Sequence, residues 1–467
     1  MEDFLSAVKD FVRTFRSLNP QTIKIISHLD SDGLSSSAIL IKAFQREEIP
    51  FSLMTVRQLD DLILEETKRE HYSVIFFLDL GSGSLSKIEH VFPDREVFIL
   101  DHHSLEDYRF THVHLLNPHL YGIDGSKEIS GAGITYLFAK ALNPHNMSSA
   151  FLALIGAIGD MQEYNGFASE LNNFILEDAV NSGEIEIKIG LRMFGTHTRP
   201  LNKVLEYATD PYIPGVSGNL VGVHQFLDEL GIDATIDGKY KKLIQLSQDD
   251  LKKLVTGIIL RRLGSEERPD DVLGKIYLLR EEDDESPTKD AKEFSTLLNA
   301  CGRMNKPSLG IGCCLNDKKL KKEAIHLLTD YKREIIASLN WFHSNKNTFI
   351  EGEGFVLINA GNHIKDTMIG TLASLIVKSN IYAPETIILS FAYTLDGHIK
   401  VSVRCRKANE IDLMSIIHKI VEKVGGVAGG HKYAAGALVS QDREKEFITH
   451  AQNTLTQLFL EHKKIVS

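Results

Sequence analysis

The chain has 467 residues, more than one hydrophobic core usually serves, so two or three domains are expected. Hydrophobic residues make up 43% and charged residues 25%, the balance of an ordinary globular protein, and no apolar run of about 18 residues marks a membrane span. The net charge of −11 argues against a generally cationic nucleic-acid coat, but not against a site whose carboxylates are offset by bound cations.

Met1-Glu2-Asp3-Phe4 is acidic and leads into an amphipathic pattern, not a secretory signal. Phe4, Leu5, Val8, Phe11, Val12 and Phe15 give residues 4–18 one helical face. Ile23–His28 reads as a short buried strand that runs through His28-Leu29-Asp30-Ser31-Asp32-Gly33 into a helix over 34–44. A second strand is expected at 51–56 and a polar helix at 65–71. Val74-Ile75-Phe76-Phe77-Leu78 ends at Asp79, and Val97-Phe98-Ile99-Leu100 ends at Asp101-His102-His103. Strands alternating with helices predict an α/β domain with a parallel sheet over residues 1–180. Ser130-Gly131-Ala132-Gly133 opens another helix, and 148–161 is apolar nearly all round, a buried helix with Asp160 at its end. Residues 181–345 read as a mostly helical insertion or middle domain, with helices near 223–230, 248–263 and 289–303 and a basic helix from Lys318. Residues 346–467 form a smaller α/β domain. It has a strand at 355–359, a helix at 367–377, a hairpin over 385–404 turning at Asp396-Gly397, a helix at 411–424, a glycine-rich turn, a strand at 435–440 and a final helix.

Four places carry chemistry. His28, Asp30 and Asp32 sit at period two just past a strand, so an extended chain would point all three to one face, with Gly33 permitting the turn into the helix. Asp79 follows an apolar strand, where a plain helix N-cap is the alternative. Asp101, His102 and His103 follow another. Asp160 closes a buried helix, where a negative charge is unfavourable and a metal partner would relieve it. Parallel strands ending at 28, 78 and 100 share one edge, the edge where open α/β sheets place their sites. Oxygen and imidazole donors suit Mn²⁺, Mg²⁺ or Fe²⁺. Cys301, Cys313, Cys314 and Cys405 lie outside this set and lack CxxC spacing, which fits a reducing cytoplasm better than a disulfide framework. Converging carboxylates repel one another without cations, and two ions sharing a bridging carboxylate fit better than one; such a pair activates water for in-line attack on phosphorus. Near the C-terminus, Gly425-Gly426-Val427-Ala428-Gly429-Gly430-His431 offers backbone amides to an anion and His431 as a donor, with a helix C-cap and tight turn as the alternative. Arg404 and Arg406 would add phosphate contacts, or form a solvated strand face.

Together these residues resemble the DHH phosphoesterase superfamily with its DHHA1 C-terminal domain. His28-Leu29-Asp30-Ser31-Asp32-Gly33 is similar to the first motif, Asp79 to the second, Asp101-His102-His103 to the third and Gly159-Asp160 to the fourth. Gly429-Gly430-His431-Lys432-Tyr433-Ala434-Ala435-Gly436 resembles the DHHA1 signature, departing only in Ala428, where many relatives have glycine. The resemblance covers roughly residues 20–180 and 350–440. Length and the middle insertion are most similar to archaeal RecJ-like proteins, including the GINS-associated nuclease. The resemblance implies a Mn²⁺-dependent exonuclease, with Mg²⁺ as the alternative ion, that releases mononucleotides from single-stranded DNA or RNA. It also implies a setting in replication or repair with GINS proteins as partners. It implies one metal on His28, Asp30 and Asp79 and a second on Asp32, Asp79, His102 and Asp160. Asp79 would bridge, and Asp101 and His103 would support the site or meet substrate. Arg404, Gly429, Gly430 and His431 would bind substrate.

Other readings differ in what they require. Hydrolysis of short RNAs, cyclic dinucleotides or pAp is done by relatives built from the two end domains alone. Inorganic pyrophosphatase shares the first domain but lacks the Gly-Gly-His signature. A replication scaffold with a decayed site would have lost ligands, and every motif ligand is present.

Overall fold

The structure, a computed structural model, describes residues 1–208, 210–266, 268–379, 381–407, 411–432 and 434–466, apart from the side chains of His431 and of residues 461–466. Helix α1 (Glu2–Leu18) comes first, and strand and helix then alternate: β1 (Ile23–His28), α2 (Ser31–Arg46), β2 (Phe51–Val56), α3 (Asp61–Arg69), β3 (Val74–Leu78), α4 (Leu85–Val91) and β4 (Glu96–Leu100). A further strand, β5 (Val113–Leu116), follows and was not foreseen. The five strands are all parallel, in the order β2-β1-β3-β4-β5. The chain therefore steps one way from β1 to β2 and the other way from β3 onward. That puts a topological switch point between β1 and β3, where crevices form at the strands' carboxyl ends.

Both faces of this sheet are covered, which is why its strands are almost unbroken apolar runs. On one face Phe76 stacks on Phe98 at 5.0 Å. Phe15 of α1 and Phe44 of α2 close around them with Phe138 of α5 (Gly131–Leu142). On the other face Ile75, Phe77, Val97 and Ile99 pack with Leu64 of α3 and Leu85 and Ile88 of α4. Back on the first face, helix α6 (Ala150–Gly159), buried from Ala150 to Ile158, packs on α2 and α5, and α7 (Glu170–Asn181) packs on α6.

The middle of the chain runs β6 (Ile185–Leu191), α8 (Leu201–Glu206), α9 (Leu220–Glu229), β7 (Thr235–Ile236), β8 (Lys239–Tyr240), α10 (Gln248–Arg262), β9 (Leu273–Leu279), α11 (Ala291–Arg303), α12 (Pro307–Cys314) and α13 (Lys318–Ser344). Strands β6 and β9 pair antiparallel, and Val204, Leu205, Val223, Phe226, Leu254 and Ile258 form a small core of their own. Helix α11 packs instead on α2 and α6. The chain separates into two compact units, Met1–Leu328 and Thr329–Ser467, and the division falls within α13.

The second unit contains β10 (Ile350–Gly352), β11 (Phe355–Gly361), α14 (Asp366–Lys378), β12 (Ile387–Tyr393), β13 (His398–Arg404), α15 (Leu413–Val424), β14 (Val427–His431), β15 (Ala434–Ser440) and α16 (Glu444–Val466). Its sheet order is β10-β11-β12-β13-β15-β14, with only β11 and β12 parallel. The segment expected as a glycine-rich turn is in fact the edge strand β14, paired with β15 from Val427–Leu438 to His431–Ala434. Main-chain pairing needs no side chains, so a run poor in strand-forming residues still pairs, and Gly426 and Gly430 absorb φ values of 130° and 127°. Among the described residues no helix is long and apolar enough to cross a membrane.

Candidate metal centre

Eight of the side chains singled out from sequence meet at the carboxyl end of the parallel sheet. Three overlapping groups place one ligand atom each within 4.8 Å of the others: His28, Asp30 and Asp79; Asp32, His102 and Asp160; and Asp79, Asp101, His102 and His103. His28 ends β1 and Asp79 follows β3, so they flank the switch point. Asp101 and the histidines follow β4, and Asp160 is the C-cap of α6.

The row His28, Asp30, Asp32 is not extended, contrary to the period-two expectation. Asp30 Oδ1 accepts from the amides of Asp32 and Gly33, both at 3.1 Å, and so caps α2, which begins at Ser31. The helical turn sends Asp30 and Asp32 to different partners. Asp30 Oδ2 lies 3.0 Å from His28 Nδ1. Asp32 instead docks on the N-terminus of α5, accepting from Gly131 N at 2.6 Å and Ala132 N at 3.0 Å. A Cβ on Gly131 would lie 2.8 Å from Asp79 Cβ and 3.0 Å from Asp32 Oδ2, so glycine is what lets the helix end approach.

Asp79 joins the groups. Its Oδ2 is 3.4 Å from His28 Nδ1, and its Oδ1 is 3.2 Å from His102 Nε2. Its side chain is 1% exposed, and neither carboxylate oxygen has a hydrogen-bond partner among the described residues. A buried carboxylate without hydrogen bonds is costly unless a cation meets it. Its backbone is left-handed, φ 58°, and its amide donates to the Leu100 carbonyl at 2.9 Å. His102 Nε2 also faces Asp160 Oδ2 at 3.0 Å and Asp32 Oδ2 at 3.7 Å. Nδ1 of His102 lies 2.7 Å from the Gly125 carbonyl, which can only accept, so that nitrogen holds the proton and Nε2 turns to the carboxylates. Asp101 has another job. Its oxygens accept from the amides of Ser82, His102 and His103, and Oδ1 lies 2.7 Å from His103 Nδ1, which orients that ring.

The electrostatics are those of carboxylates crowded around imidazoles. Burial opposes a charge on His28, yet Asp30 and Asp79 outweigh it and push its pKa well up; burial and Asp160 stand in the same relation at His102. Burial is likewise overcome at His103, which Asp101 raises. Burial also works against the Asp30 and Asp101 anions, but His28 and His103 hold these carboxyls well below the usual range. Asp32 goes the other way, pushed well up first by burial and then by Asp79 and Asp160. Two cations would relieve this repulsion, and the donor set of oxygens and imidazoles with no thiolate fits Mn²⁺ or Mg²⁺.

Sequence reasoning missed the supports. Gln162 donates to the same Gly125 carbonyl at 3.0 Å and accepts from Asn172 at 3.0 Å. Asn117 ties Ser82 Oγ to the His103 carbonyl. The 130–133 run starts a helix, as its sequence suggests, and Gly131 also lets that helix end approach Asp79 and Asp32. In the second unit, half-buried Arg404 donates to the Val403 and Ala435 carbonyls at 2.8 and 3.1 Å and to Ser374 Oγ at 3.3 Å, which anchors it in its own sheet. Arg406 is exposed, and Gly429 and Gly430 lie on β14. The His431 side chain and Tyr433 lie outside the described residues.

Comparison with known proteins agrees with this layout. Residues 22–159 match the DHH family, N-terminal domain, 193–273 the DHH-CID domain and 353–457 the DHHA1 domain. An uncharacterized protein of Methanocaldococcus jannaschii is 32% identical over 437 residues, 91% of each chain. Three solved structures share the fold. RecJ from Thermus thermophilus, in complex with Mn²⁺, has a TM-score of 0.60 at 15% identity over 96% of this chain and 54% of that one, so this chain spans about half its length. An exonuclease RecJ bound to manganese has a TM-score of 0.57 at 14% identity, over 95% of this chain and 93% of that one. CDC45 from Entamoeba histolytica has 0.63 at 10% identity, over 97% and 98%. With its three domains in order and a relative alike along nearly the whole length, this chain belongs to the DHH family and carries a DHH domain followed by DHH-CID and DHHA1 domains.

Proposed function

We propose that the chain is a two-metal phosphodiesterase, a Mn²⁺-dependent exonuclease that releases mononucleotides from single-stranded DNA or RNA. The observation that carries this is Asp79, buried between two ligand groups with one carboxylate oxygen toward each. His28, Asp30 and Asp79 would hold one cation, and Asp32, Asp79, His102 and Asp160 the other. Bound there, two divalent ions supply an activated water and neutralise charge on the phosphate under attack. The chain's own residues do the rest. Gly125 fixes the His102 tautomer, α5 holds Asp32, and Asp101 aims His103 at the solvent side, where it can meet a phosphate oxygen or a leaving group. The 36% exposure of the His103 side chain suits contact with substrate. Arg404, Gly429, Gly430 and His431 would bind substrate from the second unit. RecJ structures bound to manganese support the choice of ion, and the complete ligand set speaks against a purely scaffolding role. GINS subunits are the partner that the RecJ-like resemblance implies, and co-purification with them tests it.

The deciding experiment incubates purified protein and Mn²⁺ with end-labelled single-stranded DNA and RNA and follows product size over time. Mononucleotides from the earliest times are expected. Intact substrate, or full activity in Asp79→Ala, would overturn the proposal.

A further inference from the structure

Helix α11 lies between the matched DHH-CID and DHHA1 stretches, in residues 274–352 that neither covers. It nevertheless packs on α2 and α6, whose ends carry Asp30, Asp32 and Asp160. Ser295, Asn299 and Gly302, spaced four and three apart, share one face of α11, and that face meets the backbone of the metal centre. Asn299 Oδ1 accepts from the Ser31 amide at 3.1 Å. A Cβ on Gly302 would stand 1.9 Å from the Leu29 carbonyl oxygen, an approach only glycine allows. A Cβ on Gly159 would stand 2.7 Å from Ser31 Cβ and 3.0 Å from Ser295 Oγ, so the start of α2, the end of α6 and α11 meet at one point.

The amides at the start of α2 can be accounted for one by one. A helix leaves its first amides without internal partners. Asp30 takes those of Asp32 and Gly33 through Oδ1. The Ser31 amide goes to Asn299. Asp30 has only Oδ2 left to offer His28, and the backbone of residues 29–31 decides where that oxygen points.

We propose that Asn299, with Gly302 beside it, is a positioning residue for Asp30. It fixes the 29–31 backbone from outside so that Asp30 Oδ2 reaches the cation shared with His28 and Asp79. This makes α11 part of the metal centre, and the inference rests on the two-metal reading above.

The test uses full-length protein. Asn299→Leu keeps the shape and removes the acceptor, whereas Asn299→Asp retains it. Mn²⁺ binding is followed by the paramagnetic resonance of free Mn²⁺, local opening by hydrogen exchange of residues 29–36, and global stability by thermal melting. In Asn299→Leu, exchange at 29–36 is expected to quicken selectively and one of two Mn²⁺ sites to weaken about 10- to 100-fold, as for other residues that orient metal ligands. The KM for an oligonucleotide should stay unchanged while kcat falls at limiting Mn²⁺, and Asn299→Asp should restore wild-type binding and exchange. Gly302→Ala should act in the same direction but risks misfolding, so Asn299 decides. Wild-type Mn²⁺ titration and exchange in Asn299→Leu would overturn the proposal. So would a loss of melting temperature without selective change at 29–36, or an Asn299→Asp variant as impaired as Asn299→Leu. Wild-type protein that binds no Mn²⁺ would instead sink the two-metal reading, and the metal-positioning role with it.

Discussion

Asp79 meets two demands, one from the backbone and one from the chemistry. Its left-handed φ of 58° is tolerated by Asp, Asn and Gly, whereas the chemistry needs a carboxylate. Asp79→Asn should therefore fold normally yet lose Mn²⁺ binding and at least about 100-fold in activity, because even residues that merely orient ligands cost about 10- to 100-fold. Asp79→Ala should lose the same activity and, through backbone strain, about 1 kcal/mol of stability as well. Melting curves beside Mn²⁺ titrations separate the two. The imidazoles set a pH dependence. Burial disfavours the charged forms of His28 and His102, but Asp30 and Asp160 respectively outweigh it, so both hold their protons more tightly folded than unfolded. Such groups stabilise the metal-free fold fully below the unfolded pKa of about 6.5, and the contribution is lost as pH climbs through the raised value. Asp32, raised mainly by burial, has the same sign. Asp30 and Asp101, both held low, act oppositely: their contribution is present above the ordinary carboxylate range and lost in acid. In EDTA the melting temperature should fall as pH climbs from about 6.5, and Mn²⁺ should restore more of it at the alkaline end, where the imidazoles have already shed the protons that compete with the metal. A flat profile in EDTA would count against this charge arrangement.

At the scale of elements, the N-terminus of α5 is a wall of the site. Gly131→Ala would thrust a methyl group toward Asp79 and Asp32, so Mn²⁺ affinity should drop about tenfold, as when a ligand's support is disturbed. Gly83→Ala, whose Cβ meets nothing within 4 Å, is the matched control. Equal affinity in both variants would show that the close approach is dispensable. The elements also separate what can be read in a sequence from what cannot. Strands β1, β3 and β4 were legible because parallel strands buried on both faces are unbroken apolar runs, and a charge at the end of such a run stands out. Strand β5 escaped because it has only four residues, one of them His114. The start of α2 was placed late because Asp30, taken as one of an extended row, turns the backbone into a helix through two amide hydrogen bonds. Strand β14 was hidden by its glycines. Asn299 and Gln162 left no signal at all: each acts on a main-chain atom, and nothing in residue type marks that role.

For the whole molecule, charge is the governing quantity. A chain of net charge −11 repels a polyanionic strand, so on the proposed reading cations held at the site would supply most of the attraction. Binding of a labelled single-stranded oligonucleotide, read by fluorescence anisotropy, should be weak in EDTA and strong in Ca²⁺, which favours oxygen ligands. Equal binding in both would mean that the protein's own basic groups suffice. The hydrogen bond from Ser31 to Asn299 joins residues 268 positions apart. A ribosome adds about 5–20 residues each second, so Asp160, the last of the carboxylates, emerges about 7–28 s before Asn299 does, and the others earlier still. During that interval the nascent chain carries the acidic cluster without the helix that steadies it. On the proposed reading the centre is thus among the last parts of the first unit to mature, and a chain cut short before residue 299 would carry all six proposed ligands and still lack the contact to Ser31.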